Sequence, residues 1–276
     1  MKIAVASGKG GTGKTTISTL LAYAGEDTQY VDCDVEEPNG RIFLKPDIEK
    51  TVEYTELVPK IDTDICTFCG RCSDACAYRA LVVVGAIKKT MFFSELCHSC
   101  GVCKYVCPVE NALIEVPKIK GKINIGKAGN VSFLEGILNV GEASAVPLIR
   151  GLKKYINNEK TVILDSPPGT SCPVVETAED ADFLILVTEP TPFGLNDLQL
   201  AVELARDLKK PFGIIINKYD KNVRLIDDYA KKENIDILYR LEFSEEFAEA
   251  YSSGNLPFDS LKDDFQNVLH KIESQI

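Results

Sequence analysis

An eight-residue segment near the N-terminus, Gly8-Lys9-Gly10-Gly11-Thr12-Gly13-Lys14-Thr15, constrains the fold of this 276-residue chain more than any other. It matches G-x-x-x-x-G-K-[ST], follows the apolar run Lys2–Ala6 and precedes the helix-period run Thr16–Ala24. A strand, a glycine-rich turn and a helix in that order build a cradle for phosphate groups. Glycines let successive backbone N–H groups turn inward with no Cβ in the way. The helix N-terminus adds the positive end of its dipole. In such a cradle Lys14 reaches the β- and γ-phosphates and the Thr15 hydroxyl ligates Mg²⁺.

The rest of the chain supplies the scaffold that such a loop needs. Apolar runs of strand length recur at Lys2–Ala6, Thr28–Cys33, Thr161–Leu164, Phe183–Thr188, Phe212–Ile216 and Ile235–Tyr239. Several are β-branched and nearly continuous, as in strands covered on both faces. Helix-period segments stand between them: Lys14–Ala24, Glu142–Tyr155, Gly194–Leu208, Val223–Glu233 and Ser244–Ser252. The alternation predicts a doubly wound, mostly parallel α/β sheet. At the C-terminus Leu261, Phe265, Val268, Leu269, Ile272 and Ile276 share one helix face. The opposite face is acidic, the wrong sign for an anionic bilayer, so this helix is expected to close the core.

Eight of the ten cysteines lie in two copies of one pattern, 31 residues apart. The first is Cys66-x₂-Cys69-x₂-Cys72-x₃-Cys76, and the second is Cys97-x₂-Cys100-x₂-Cys103-x₃-Cys107-Pro108. The chain opens with no signal-peptide pattern and has no spanning run of ~20 apolar residues. It is therefore expected in the cytoplasm, where cysteines hold metals more often than they pair. The expected domains are residues 1–56 with 121–276, and an insertion at 57–120. The formal charge of −10 is uneven: residues 60–120 hold eight bases against six acids, and the remainder 23 against 35. An acidic body of this kind gives no support for nucleic-acid binding, and no membrane partner is expected either.

Lys9 gives the loop a second lysine. The variant Lys9-Gly10-Gly11-Thr12-Gly13-Lys14-Thr15 resembles the deviant Walker A loop of the MinD/ParA class of P-loop ATPases, which includes the nitrogenase iron protein and the Mrp-type carriers. In that class the extra lysine reaches the partner's ATP across a nucleotide-sandwich dimer, so the resemblance implies a homodimer with ATP or ADP held by Gly8, Lys9, Gly10, Gly11, Thr12, Gly13, Lys14, Thr15 and Thr16. Three further motifs agree. Val31-Asp32-Cys33-Asp34-Val35 looks like the first switch element, which implies that Asp34 positions the attacking water and Asp32 supports the Mg²⁺ shell. Asp165-Ser166-Pro167-Pro168-Gly169-Thr170 resembles the second switch, with Asp165 on Mg²⁺ through water and Gly169 sensing the γ-phosphate. Asn217-Lys218-Tyr219-Asp220 resembles a base-contacting element, with Asn217 at the nucleotide. By resemblance, too, Lys9, Lys14 and Asp34 are the catalytic set.

The cysteine copies resemble the bacterial ferredoxin fold with two [4Fe–4S] clusters. There the first three cysteines of one run combine with the last of the other. The implied sets are Cys66, Cys69, Cys72 and Cys107, and Cys97, Cys100, Cys103 and Cys76. Cys76 is followed by Ala77 where Cys107 has Pro108. His98 is expected to be exposed and not a ligand. Cys33 is expected as a buried thiol, and Cys172 as a structural or redox thiol in preference to a ligand of a third, intersubunit cluster. The residues at 138–144 and 188–194 also fit the family, the first on the dimer face and the second near the nucleotide.

Together these resemblances imply an ATPase of the MinD superfamily with a ferredoxin-like insertion, acting as an ATP-gated electron carrier to an unidentified redox protein. The alternative is an ATPase that assembles iron–sulfur clusters or delivers them to an apo-protein partner. Positioning or partitioning is a third reading, for which no basic DNA patch or basic membrane helix is found.

Overall fold

The computed structural model describes all residues, Met1–Ile276. The chain begins β1 (Lys2–Ala6), α1 (Lys14–Ala24), β2 (Thr28–Asp32), α2 (Gly40–Leu44) and β3 (Asp47–Ile61). The cysteine region holds α3 (Arg71–Asp74), β4 (Leu81–Val84), β5 (Lys89–Phe92) and α4 (Val102–Tyr105). There follow β6 (Leu113–Ala128), β7 (Val131–Leu138), α5 (Val146–Lys153), β8 (Thr161–Asp165), α6 (Cys172–Ala178), β9 (Phe183–Thr188) and α7 (Pro192–Asp207). The chain ends with β10 (Phe212–Tyr219), α8 (Leu225–Glu233), β11 (Ile237–Glu242), α9 (Glu245–Ser252) and α10 (Phe258–Glu273). None of these helices is long and apolar enough to cross a membrane.

By compactness the chain forms two units. The first comprises Met1–Thr51, Ile123–Ile137 and Ile149–Ile276; the second comprises Val52–Lys122 and Leu138–Leu148. The nine-stranded sheet runs β11-β10-β9-β1-β8-β2-β7-β6-β3. Its centre is parallel, as the apolar runs predict: β1 pairs β8 and β9, β2 pairs β7 and β8, and β10 pairs β9 and β11. Ile3, Val5, Ile163, Phe183 and Ile185 are fully buried between the helical layers. The last helix buries Phe265, Val268, Leu269 and Ile272 in that same core, as its apolar stripe predicts.

Several element boundaries move by a few residues, and two of the moves have a clear local cause. Asn234 takes a left-handed φ of 53° to end α8, so the following strand starts at Ile237 and not at Ile235. Helix α5 starts at Val146, four residues after Glu142, because Asn139–Glu142 form a turn in which Gly141 has φ 83°. The long strands β3 and β6 have no apolar run to announce them. Their sequences, DIEKTVEYTELVPKI and LIEVPKIKGKINIGKA, place charged groups along both faces.

In the second unit β4 and β5 form an antiparallel hairpin, Leu81 opposite Phe92 and Val84 opposite Lys89. Backbone conformation repeats here as the sequence does. Phe68 and Ser99 are both left-handed (φ 54° and 52°), as are Gly70 and Gly101 (82° and 72°), and each glycine opens a four-residue helix. The N–H of Phe68 donates to Cys66 Sγ at 3.4 Å, and that of Ser99 to Cys97 Sγ at 3.5 Å. The buried core of this unit is small, gathered around Cys72, Leu81 and Leu113.

Candidate functional site

The glycine-rich loop leaves β1 and turns into α1 through left-handed residues at Gly11 (φ 78°) and Gly13 (φ 93°). A Cβ on Gly13 would stand 2.2 Å from Asn217 Nδ2, and one on Gly8 2.1 Å from the Asp197 carbonyl. Gly8 is therefore fixed by backbone packing, and Gly13 by its left-handed φ together with the Asn217 side chain. Asn217 Nδ2 donates to the Thr12 carbonyl at 2.8 Å and braces the loop from the end of β10. The Thr12 hydroxyl is buried with no hydrogen-bond partner. A buried donor left unpaired is costly, and a phosphate oxygen is the acceptor that suits it. Together these features fit the phosphates of a nucleotide.

The sheet register brings the acidic residues to the same place. Asp32 pairs with Asp165 across β2 and β8, at the C-terminal ends of parallel strands, where open α/β sheets put their ligand sites. Asp165 accepts from Ser18 Oγ at 3.0 Å and from Tyr30 Oη at 2.8 Å. Asp32 accepts from the N–H of Gly40 at 3.0 Å and of Asp34 at 3.2 Å. Burial and Asp165 push the Asp32 carboxyl well above the usual range. Burial also raises Asp165, against the Thr15 hydroxyl, the Lys14 ammonium and the Tyr30 and Ser18 hydroxyls. Asp34 rises to about 6 through burial and Asp165, opposed by Lys14. Burial lowers Lys14, against the pull of Asp165 and Asp34. A lysine and three carboxylates, poorly hydrated and short of counter-charge, are the chemistry that a triphosphate with Mg²⁺ would complete.

Above the loop opens a cleft of about 530 Å³. Its walls include Gly10, Gly11, Gly13, Lys14, Thr15, Thr16, Asp34 and Asn217. The opposite wall is aromatic, formed by Phe43 of α2 with Phe243, Phe247 and Tyr251 at and beyond the end of β11. No motif marks those aromatics. The spacing of Phe247 and Tyr251 puts them on one face of α9, the one local sign of them. Tyr30 also lacks a motif, although its position two residues before Asp32 on one strand places both on one face.

Other expected residues lie differently. Lys9 is half-buried, makes no ion pair and does not line the cleft of its own chain. The Gly169 N–H donates to the Ser7 carbonyl at 3.0 Å, and so is committed to backbone in this conformation. Lys218 lines the cleft beside Asn217 and pairs with Glu189 at 2.6 Å, whereas Asp220 accepts from Asn222. Cys33 is fully buried, and burial together with Asp32 raises its thiol. Cys172 is exposed at the start of α6.

In the second unit the eight remaining cysteines line two pockets. One is walled by Cys66, Cys69, Cys72 and Cys107, the other by Cys76, Cys97, Cys100 and Cys103. Burial raises the Cys72 thiol and lifts Cys103 to about 11, and neighbouring cysteines add to both shifts. Cys107 and Cys66 act on Cys72, and Cys97 and Cys100 on Cys103. The thiols ring these cavities, and no three His, Cys, Asp or Glu side chains gather about a single ion. His98 is half-buried and not exposed, because its ring stacks on Tyr78 with centroids 3.6 Å apart and planes 16° apart.

Comparison with known proteins agrees with the first unit. The family described as CobQ/CobB/MinD/ParA nucleotide binding domain (CbiA) matches residues 3–258. Two uncharacterized proteins of Methanocaldococcus jannaschii are similar along most of the chain. MJ0579 is 31% identical over 99% of this chain and 97% of its own length, and MJ0578 is 34% identical over 80% and 79%. Among solved structures, the septum site-determining protein MinD complexed with Mg-ADP from Pyrococcus horikoshii superposes with a TM-score of 0.58 at 18% identity, covering 98% of this chain and 95% of that one. The cell division ATPase MinD of Pyrococcus furiosus gives 0.59 at 17%, covering 100% and 99%. At those identities the likeness shows the fold alone. The chain belongs to the CobQ/CobB/MinD/ParA nucleotide-binding family, and its first unit is a P-loop ATPase domain of the MinD/ParA type.

Proposed function

We propose that this ATPase gates the movement of electrons through a ferredoxin-like unit carrying two [4Fe–4S] clusters, as a cytoplasmic homodimer. One observation carries the reading: each cysteine pocket combines three thiols of one run with the last thiol of the other. That is the ligand set of a two-cluster ferredoxin. Several ringed thiols suit a cluster of several irons better than one tetrahedral zinc. The small core of the unit adds support, since a domain of that size needs a metal staple. Bound clusters would supply one-electron storage at close range.

On the ATPase side, Lys14 would hold the β- and γ-phosphates and the Thr15 hydroxyl would ligate Mg²⁺, with Asp165 and Asp32 behind its water shell. Asp34 would orient the water that attacks the γ-phosphorus as the bond to the bridging oxygen breaks, giving ADP and phosphate. Lys9, absent from its own cleft wall, would serve the partner subunit's ATP. Phe243, Phe247 and Tyr251 would receive the base.

Anaerobic preparation with iron quantitation and EPR, with and without MgATP, tests the reading. Iron near two cubane equivalents per chain, with interacting clusters whose signal responds to MgATP, is expected. Iron-free protein, or a signal indifferent to nucleotide, refutes gating. Transfer of cluster iron to an apo-protein on ATP addition would make the chain a delivery ATPase instead.

A further inference from the structure

A largely buried polar row in the first unit leads away from the carboxylates of the nucleotide site. It crosses five neighbouring strands in the order β8, β2, β7, β6 and β3. Asp165 pairs with Asp32 in register, and Asp32 pairs with Glu135 on β7. Asn124 Nδ2 on β6 donates to Glu135 Oε1 at 2.8 Å, and Thr51 Oγ1 on β3 donates to Asn124 Oδ1 at 2.8 Å. Glu135 is 0% exposed and Asn124 is 5% exposed. Glu135 Oε1 also faces Arg41 Nη1 at 3.5 Å, from the short helix that follows the Asp34 segment. The N–H of Gly40, beside Arg41, is held by Asp32. Glu135 Oε2 is buried with no hydrogen-bond partner.

We propose that Glu135 is a positioning residue that relays the state of the nucleotide cleft to β3 and β6, the strands between which the cysteine runs are inserted. Thr51 immediately precedes Val52, where that unit begins, and Asn124 lies two residues after Lys122. The relay rests on the proposed function only in taking nucleotide state to govern the cysteine unit. Its two arrangements follow from the carboxylate. Here Asn124 and Arg41 share one oxygen and the other is unsatisfied, which is costly in a buried carboxylate. A guanidinium fork can take both oxygens at once. Movement of the Asp34–Gly40 segment on nucleotide binding brings Arg41 to that fork and draws Oε1 away from Asn124. Asn124 then turns against Thr51, and both strands feel the change. A two-state element of this kind is what energetic coupling between sites requires.

Hydrogen exchange of the full-length protein, with and without MgATP, tests the relay. The readout is the nucleotide-dependent difference in peptides spanning 52–61 and 113–122. In the wild type MgATP is expected to change their exchange by roughly fivefold or more. Asn124→Leu and the gentler Thr51→Val should abolish that difference and still bind MgATP. A merely destabilised variant would exchange faster with and without nucleotide, leaving the difference in place. A difference preserved in both variants overturns the relay, and so does its absence in the wild type. Exchange reads backbone and not electrons. A chain with coupled exchange and no clusters would thus refute the electron carrier and leave the relay standing.

Discussion

The phenol of Tyr30 stands between two buried carboxylates, donating to Asp165 Oδ2 at 2.8 Å with its oxygen 3.3 Å from Asp32 Oδ2. One proton thus serves two acids, on a ring that stacks against Phe133. Tyr30→Phe keeps the ring and removes the donor. The nucleotide-free protein should lose about 1–3 kcal/mol of stability, the cost of leaving a buried acceptor unpaired. Denaturant unfolding of wild type and variant measures this, and equal midpoints would show that the phenol is dispensable.

Lys9 makes no ion pair and is missing from the wall of its own cleft. If it acts on the partner's ATP, Lys9→Ala should slow hydrolysis on the order of a hundredfold or more, as loss of a cation supplied in trans does. ATP affinity should change little, because ground-state binding stays with Lys14 and the glycines. Phosphate release over a range of protein concentrations, with a separate binding titration, distinguishes the two effects. A matching loss of affinity would place Lys9 in its own site.

Cys76 and Cys107 each close the pocket begun by the other run. Cys107→Ala and Cys76→Ala should therefore each remove about half of the iron and abolish magnetic interaction between clusters. The remaining signal should differ between the two variants. The double variant Cys66→Ala/Cys107→Ala should also keep half of the iron, because both thiols wall one pocket, whereas ligation confined to each run would lose both clusters. Anaerobic iron analysis with EPR decides.

Glu142 is tied to Lys120 at 2.5 Å and Lys118 at 2.9 Å, with side-chain exposures of 6%, 5% and 31%. Burial is the largest single influence on its carboxyl and raises it, but the two lysines together outweigh burial and hold it below its usual value of 4.5. A lowered folded value means stability that is fully present above the unfolded pKa and lost as pH falls through the folded one. Glu142→Gln should cost about 1–3 kcal/mol at neutral pH. The gap between variant and wild type should narrow as pH drops below the usual carboxylate value. Unfolding curves between neutral and acid pH check this, and a gap independent of pH would mean that the ion pair contributes nothing.

Much of the ATPase site could be read in the chain because its chemistry is local. Gly8–Thr15, Asp32, Asp165 and Asn217 each sit at the end of an apolar run, and a parallel sheet gathers such ends at one edge. The two cysteine runs were legible in their spacing, but which thiols share a pocket was not in the spacing alone. The aromatic wall was not. Phe243, Phe247 and Tyr251 meet the loop only because α9 folds back over a cleft begun more than two hundred residues earlier. The polar row through Glu135 and Asn124 was hidden for another reason. It depends on the register of β6 and β7, whose mixed charged and apolar residues give no single buried face to read.

The swapped pockets also constrain assembly during synthesis. The pocket opened by Cys66 needs Cys107, whereas the pocket that draws on Cys76 is complete once Cys103 has been made. Only residues 104–107 separate the two completions. Neither pocket can be completed from its own run, and both wait for the second run to be made.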